Sequence, residues 1–102
     1  MKADILWWDN MAGRASKAFR TKVYNSKRWK ATRAYILAET PYCIACEKKG
    51  KLTRATDVDH IQNLGIIYAL GDYDEAYNID NLQSLCKHCH GEKTAQDKQI
   101  KK

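Results

Sequence analysis

From Ser26 to Pro41 the apolar residues Trp29, Ile36 and Leu37 fall on one face of a 3.6-residue wheel with Arg33 beside them, and Ser26 offers the side-chain oxygen of an N-cap. The spacing predicts a helix over about Lys27 to Glu39, stopped by Pro41, whose ring disfavours the helical conformation in the residue before it. Leu52 to Ile61 reads as a strand region, with Val58 and Ile61 as apolar points and Gly50 as a turn ahead of it. Asn63 to Asn78 has no clean period and contains Gly65 and Gly71, the pattern of a long loop with a short helix inside. Leu82 to Leu85 reads as a second short strand or a turn, and Cys89 onward, through Gly91, Lys93 and Gln96, opens a C-terminal helix. Helix, cysteine pair, strand, loop, strand and helix in that order place the chain in the α+β class.

The first 25 residues stand apart as a basic N-terminal extension with helical character, and residues 26–102 carry the rest of the pattern. Trp7 and Trp8 in the extension need burial, on the domain or against a partner. Asp4 and Asp9 interrupt the extension's only apolar run, Ile5 to Trp8, so it does not read as a secretory leader. The chain has no internal repeat, low-complexity tract or membrane-length apolar run. A 102-residue chain buries too little surface to be strongly stable on its core alone, so it calls for a staple.

Charge changes the picture, because the net +6 hides three zones. Arg14 to Arg33 holds eight basic residues and no acid, interleaved with Phe19, Tyr24 and Trp29. Asp57 to Asp80 holds six acids and no Lys or Arg, and the chain turns basic again after Lys87. A basic run is often only a solvated face, but an uncompensated one with aromatics suits a phosphate backbone. The acidic middle would repel that same polyanion unless its carboxylates held a cation.

The staple is legible in the cysteines. Cys43 and Cys46 form one Cys-x-x-Cys pair and Cys86 and Cys89 another, a spacing that closes a four-thiolate tetrahedral zinc site with no open position. Such a site is scaffold, and its metal affinity adds directly to folding. Disulfides and a redox dithiol are the rivals; the first needs an oxidising compartment, the second a strand-helix-strand setting that is missing around either pair.

Asp59 and His60 are neighbours on the expected first strand, where side chains alternate, so they flank one site only if the strand bends or ends there. His90, following Cys89, can approach the same place. One carboxylate and one imidazole make an incompletely filled site that suits magnesium or manganese, and a free His60 has the ordinary pKa of a general base near neutrality. With a basic surface for the backbone, only a group to orient His60 is missing from a phosphodiester-hydrolysing centre.

Asp57-Val58-Asp59-His60-Ile61, then Asn81-Leu82-Gln83-Ser84-Leu85-Cys86, then Cys89-His90 and Lys93-Thr94 together resemble the signature of the His-Asn-His (HNH) endonucleases. Tyr24, Ser26, Trp29 and Arg33 ahead of Cys43 also resemble the small zinc-containing HNH nucleases of bacteriophages and prophages, and the likeness runs over about residues 19 to 94. The resemblance implies a ββα-metal (His-Me finger) fold with a tetrathiolate zinc and an N-terminal helix. It implies His60 as the base, Asp59 and His90 as ligands of a catalytic Mg2+ or Mn2+, Asn81 as the holder of the base-bearing segment, and products with 5′-phosphate and 3′-hydroxyl ends. It further implies double-stranded DNA as substrate, a place in the cytoplasm of a bacterial host, and work beside the phage terminase large subunit in DNA packaging.

Each assignment has a plainer rival. Asn81 can cap a turn, and Asn78 is near enough to compete; His88 can replace His90; Asp57 supports the site or is simply exposed. Lys27, Arg28, Lys30, Arg33 and Lys93 contact DNA or are solvated helix charges. A zinc-ribbon DNA-binding or packaging adaptor without catalysis explains the cysteines and the basic run, but not Asp59, His60, Asn81 and His90. An RNA-cleaving toxin shares the same site and differs in cutting RNA in preference to DNA.

Overall fold

A computed structural model of the chain describes residues 15–99, with side chains to residue 96. Trp7, Trp8, Arg14, Lys101 and Lys102 lie outside the described residues.

Helix α1, Lys17–Asn25, is N-capped by the Ser16 hydroxyl, which accepts from the Phe19 N–H at 3.0 Å. Its Val23 is fully buried, and Ala15 just ahead of it joins the same core. The expected helix is present as α2, Lys27–Glu39. Ser26 makes the corner between the two: its hydroxyl donates to the Val23 carbonyl at 2.7 Å and accepts from the Trp29 N–H at 3.0 Å. One side chain thus ends one helix and begins the next, a role whose loss typically costs about 1 kcal/mol.

A short helix α3, Ile44–Lys48, lies inside the first cysteine pair, with the Cys43 sulfur as its N-cap. Strands β1, Asp57–His60, and β2, Leu82–Leu85, pair antiparallel in the register Asp57 with Leu85, Val58 with Ser84, Asp59 with Gln83 and His60 with Leu82. The strand expected from Leu52 is shorter because Thr53 and Ala55 bond away from β2, although the Thr56 N–H still donates to the Leu85 carbonyl at 3.1 Å. The Cys43 N–H donates to the Thr53 carbonyl at 2.7 Å and the Ala55 N–H to the Pro41 carbonyl at 2.8 Å, with a single bridge between Tyr42 and Arg54.

Between the strands, helix α4, Leu64–Leu70, starts on Asn63, whose side chain accepts from the Ile66 N–H, and stops at Gly71. Gly71 sits at φ 77°, a left-handed conformation that costs glycine nothing. Two 3-10 turns, Tyr73–Tyr77 and Ile79–Asn81, return the chain to β2. The last helix, α5, Lys87–Gln99, begins two residues before the expected Cys89, its first turn closed by the His90 N–H on the Cys86 carbonyl at 2.9 Å.

The fold is therefore a two-stranded hairpin with α5 following it, the ββα unit, embraced by α1 and α2. Trp29 and Ile36 from α2, Val58 and Leu82 from the strands, Leu64 and Ile67 from α4 and Ala76 from the 3-10 turn share one core with Val23. Phe19 of α1 packs on Tyr68 and Tyr73 at ring separations of 5.3 and 4.9 Å. A second cluster gathers Leu85 with the cysteines.

Candidate active site and metal centres

The four cysteine sulfurs lie within 4.8 Å of one another, and all four thiols are free. Cys46 Sγ stands 3.9 Å from Cys86 Sγ and 3.7 Å from Cys89 Sγ. Thiolates at about 2.3 Å from a tetrahedral zinc are separated by roughly 3.8 Å, so the donor set has the spacing the ion requires. The electrostatics agree. Burial pushes the Cys43 thiol up, but N–H donors from Cys86 and Cys46 outweigh it and bring Cys43 down to about 6. Burial and the neighbouring cysteines push Cys89 up to about 12. One thiolate forms readily and then opposes the next; a divalent cation at the centre removes that opposition. The cluster joins the first knuckle to the start of α5.

Asp57 and Asp59 occupy alternate positions of β1 and so share a face, and α5 lays His90 across both. The His90 Nδ1 is 2.9 Å from Asp57 Oδ2, and its Nε2 is 3.5 Å from Asp59 Oδ1. Asp57 takes its proton-bearing contact at Nδ1, which leaves the Nε2 lone pair turned toward Asp59, the arrangement of a metal-ligating histidine braced by a carboxylate. Burial alone would raise the Asp57 carboxyl; the hydrogen bonds from His90 and the Thr56 hydroxyl, with the charge of Lys87, hold it below its usual value. Asp59 is buried, and its second oxygen accepts from Gln83 Nε2 at 2.9 Å and lies 3.3 Å from Lys93 Nζ. Asp59 Oδ1 and His90 Nε2 thus face each other at 3.5 Å, and the pair could hold a divalent cation with its other positions left to water and substrate.

His60 ends β1 on the opposite face from Asp59. It is buried, stacked on Trp29 at 5.0 Å and an interplanar angle of 19°, and its Nε2 stands 2.9 Å from the Ala76 carbonyl. A carbonyl only accepts, so Nε2 carries the hydrogen and Nδ1 keeps its lone pair. Burial lowers the His60 pKa, with the Ala76 contact and the charge of Asp59 working against it. The ring is held neutral, with Nδ1 outside the Ala76 contact.

Asn81 connects the two halves of that arrangement. Its Oδ1 accepts from the Gln62 N–H at 2.8 Å, while its Nδ2 donates to the Gln62 and Glu75 carbonyls, each at 3.2 Å. Gln62 follows the base by two residues, and Glu75 immediately precedes the residue whose carbonyl orients it. Asn78 caps its own turn, accepting from the Asp80 N–H at 3.0 Å, and does not compete for this role. His88 is turned to solvent and pairs with Glu92 at 3.4 Å, away from the carboxylates.

The basic residues divide. Lys27 and Lys30 are exposed on α2. Arg28 covers the Tyr77 ring at 4.3 Å and pairs with Asp74 at 3.1 Å, an exposed contact of little energetic weight. Arg33 donates through Nη2 to the Thr56 carbonyl at 2.9 Å. Lys93 turns inward, spanning Asp59 Oδ2 and the His60 carbonyl, the latter at 3.1 Å. Two parts of the site escape the sequence. The Ala76 carbonyl leaves no residue-type signal, whereas Gln83 faces Asp59 across the hairpin and could have been found from the register of β2.

A carboxylate-braced imidazole beside a second carboxylate, with a separate neutral histidine, all on a ββα unit, is a set of groups that could serve metal-assisted hydrolysis of phosphodiesters. The profile of the family described as HNH endonuclease matches residues 43–96, from Cys43 to near the end of α5. The chain is 40% identical over 79 residues to the probable HNH endonuclease of Lactococcus phage SK1, spanning 76% of this chain and 81% of that one. It is also similar to the crystal structure of the HNH endonuclease of deep-sea thermophilic bacteriophage GVE2 with manganese ion. That likeness has a TM-score of 0.68 at 38% identity, over 92% of this chain and 94% of the other.

The chain belongs to the HNH endonuclease family. Nuclease activity and a DNA substrate come with that membership.

Proposed function

We propose that the protein cleaves double-stranded DNA by hydrolysis at a single centre in which His60 is the general base, Asp59 and His90 hold one divalent ion, and Asn81 positions the base. The observation that carries this reading is the division of labour between the histidines: His90 is braced by Asp57 for ligation, and His60 is fixed by Ala76 with Nδ1 open. His60 Nδ1 takes the proton of the attacking water while Nε2 stays bonded to Ala76. Trp29 and Asn81 keep the ring and its segment from turning as that proton arrives. A divalent ion bound at Asp59 and His90 supplies Lewis-acid stabilisation of charge on the phosphoryl group and on the leaving 3′ oxygen. Magnesium and manganese fit this donor set, and manganese is the ion named with the GVE2 relative. Zinc belongs to Cys43, Cys46, Cys86 and Cys89 as a structural ion that ties the start of α5, and with it His90, to the first knuckle. Lys27, Arg28, Lys30 and Arg33 meet the phosphate backbone.

The phage origin of the relatives supports a role in a bacterial host, and the resemblance to phage HNH nucleases is the ground for placing the protein beside the terminase large subunit. Pull-down of that subunit by the full chain tests the partnership.

Supercoiled plasmid tests the activity. Nicked and linear products with Mg2+ or Mn2+, and none in EDTA, are expected; retention of the plasmid without any cut would replace the nuclease by a DNA-binding adaptor. Faster cutting of RNA than of DNA would reassign the substrate.

A further inference from the structure

A cleft of about 390 Å³ opens beside the Asp57–His90 pair, lined by Tyr24, Trp29, Arg33, Asp57, Val58 and His90. Its first three residues come from the Tyr24-x-Ser26-x-x-Trp29-x-x-x-Arg33 stretch. Two members of that stretch have evident tasks elsewhere: Ser26 makes the helix corner, and Trp29 stacks on His60. Tyr24 and Arg33 are the members whose polar groups are not used up by the fold.

Tyr24 is held in place by its ring, which meets Trp29 edge-on at 5.4 Å and lies 6.4 Å from the His60 ring. Among the described residues its hydroxyl makes no hydrogen bond, and Tyr24 is 44% exposed where it lines the cleft. Arg33 is anchored through Nη2 to the Thr56 carbonyl, which leaves the remaining edge of its five-donor guanidinium for another acceptor. Burial, and then the charge of Asp59, raise the Tyr24 pKa, so its proton stays on and the group acts only as a donor near neutrality. A donor and a cation line a cleft whose other wall carries His90 and the Asp57 carboxylate, the latter paired with His90 at 2.9 Å and Lys87 at 3.5 Å. An anionic tetrahedral oxygen group is what that combination accommodates, and in a DNA-cleaving enzyme that group is the phosphate under attack.

Resting on the nuclease reading above, we infer that Tyr24 is a catalytic residue: its hydroxyl donates a hydrogen bond to a non-bridging oxygen of the scissile phosphate, which Arg33 holds from the same cleft. The bond strengthens as charge builds on that oxygen in the transition state, so it contributes to rate more than to binding.

Tyr24→Phe deletes the hydroxyl and keeps the ring against Trp29 and His60. The full chain, loaded with zinc and supplied with Mg2+ or Mn2+, is compared with the variant in single-turnover cleavage of a labelled duplex. Affinity for that duplex is measured in parallel with Ca2+ by anisotropy, and folding by thermal melting. A rate loss of about 10- to 100-fold is expected, the range for a hydrogen bond to a charged group, with affinity within about twofold and melting unchanged. A variant cutting at the wild-type rate would overturn the assignment while leaving the nuclease reading intact. Weakened affinity at an unchanged rate would also overturn it, by moving the hydroxyl to a phosphate that is not cut. A wild-type chain that does not cut with either ion would sink both.

Discussion

His60 Nε2 lies 2.9 Å from the backbone oxygen of Ala76, and this contact decides which nitrogen the base presents. Because the partner is main chain, no substitution at residue 76 that preserves the 3-10 turn removes it. The orientation of the base is built into the fold between the two strands.

The pH dependence of cleavage follows from the burial of that ring. His60 must be neutral to accept a proton, and burial lowers its pKa from the ordinary 6.5, so the acid limb of the rate should fall below that value. The stability effect has the same direction. The unfolded chain binds the proton more readily than the folded one, so this group's contribution is complete above pH 6.5 and is lost as pH falls toward the folded value. Log single-turnover rate against pH at a fixed saturating ion concentration checks this; a limb above about pH 7 would assign the titrating base to another group.

His60→Ala should reduce nicking by about 10² to 10⁴, the usual contribution of a general base. Unlike a change on the surface, it should also lower the melting temperature, because it opens space beside Trp29 and strands the Ala76 carbonyl. Wild-type nicking by the folded variant would take His60 out of the chemistry.

Asn81→Ala removes three hydrogen bonds and leaves the Gln62 N–H and the Gln62 and Glu75 carbonyls short of partners. A loss of about 2–3 kcal/mol in urea unfolding is expected, accompanied by slower cutting in the protein that remains folded. Asn81→Asp keeps the acceptor for Gln62 but sets a buried carboxylate oxygen against the Gln62 and Glu75 carbonyls, so it should be at least as destabilised as the alanine variant at neutral pH. Equal stability of all three proteins would remove the clamp.

Cys43→Ser should abolish stoichiometric zinc and, with it, cooperative folding, since it removes one of the four sulfurs that lie within 4.8 Å of one another. Zinc content by metal analysis and thermal melting report the two effects separately. A zinc-loaded variant with normal melting would demote the cluster from scaffold to ornament.

Replacing Lys27 and Lys30 together by Ala should reduce the salt dependence of duplex binding by a slope of about 0.9 for each phosphate that the pair neutralises. Arg28 is a weaker choice for the test because it already engages Asp74 and Tyr77. An unchanged slope would move the DNA track off α2.

What the sequence disclosed was largely what repeats locally. Ser26, the α2 stripe and the spacing of the cysteines are short-range patterns, and each led to its element. The extent of β1 was not readable, because the residues from Leu52 are as strand-like as the rest; Thr53 and Ala55 bond to Cys43 and Pro41 instead of to β2, and Thr56 alone of the stretch reaches it, at Leu85. The start of α5 was displaced for a similar reason: Cys86 supplies the first carbonyl of the helix as well as a sulfur. In the site, residue types with unusual chemistry stood out, while contributions that depend on main chain or on facing strands did not. Asp57 is ambiguous in sequence and carries His90 in the fold, and Lys93, which reads as a DNA contact or a helix charge, has its amine on Asp59.

The bonds of Asn81 have a consequence for the segment they enclose. Gln62 and Glu75 are fastened to one side chain, so residues 63–74 leave and rejoin the molecule at fixed points, as a cassette does. Changes of length or sequence within that cassette, if they spare the core residues Leu64 and Ile67, can be absorbed without altering the distance between the base and its carbonyl. An engineer wishing to graft a new recognition element onto this scaffold would begin at the exposed stretch around Asp72 and Asp74.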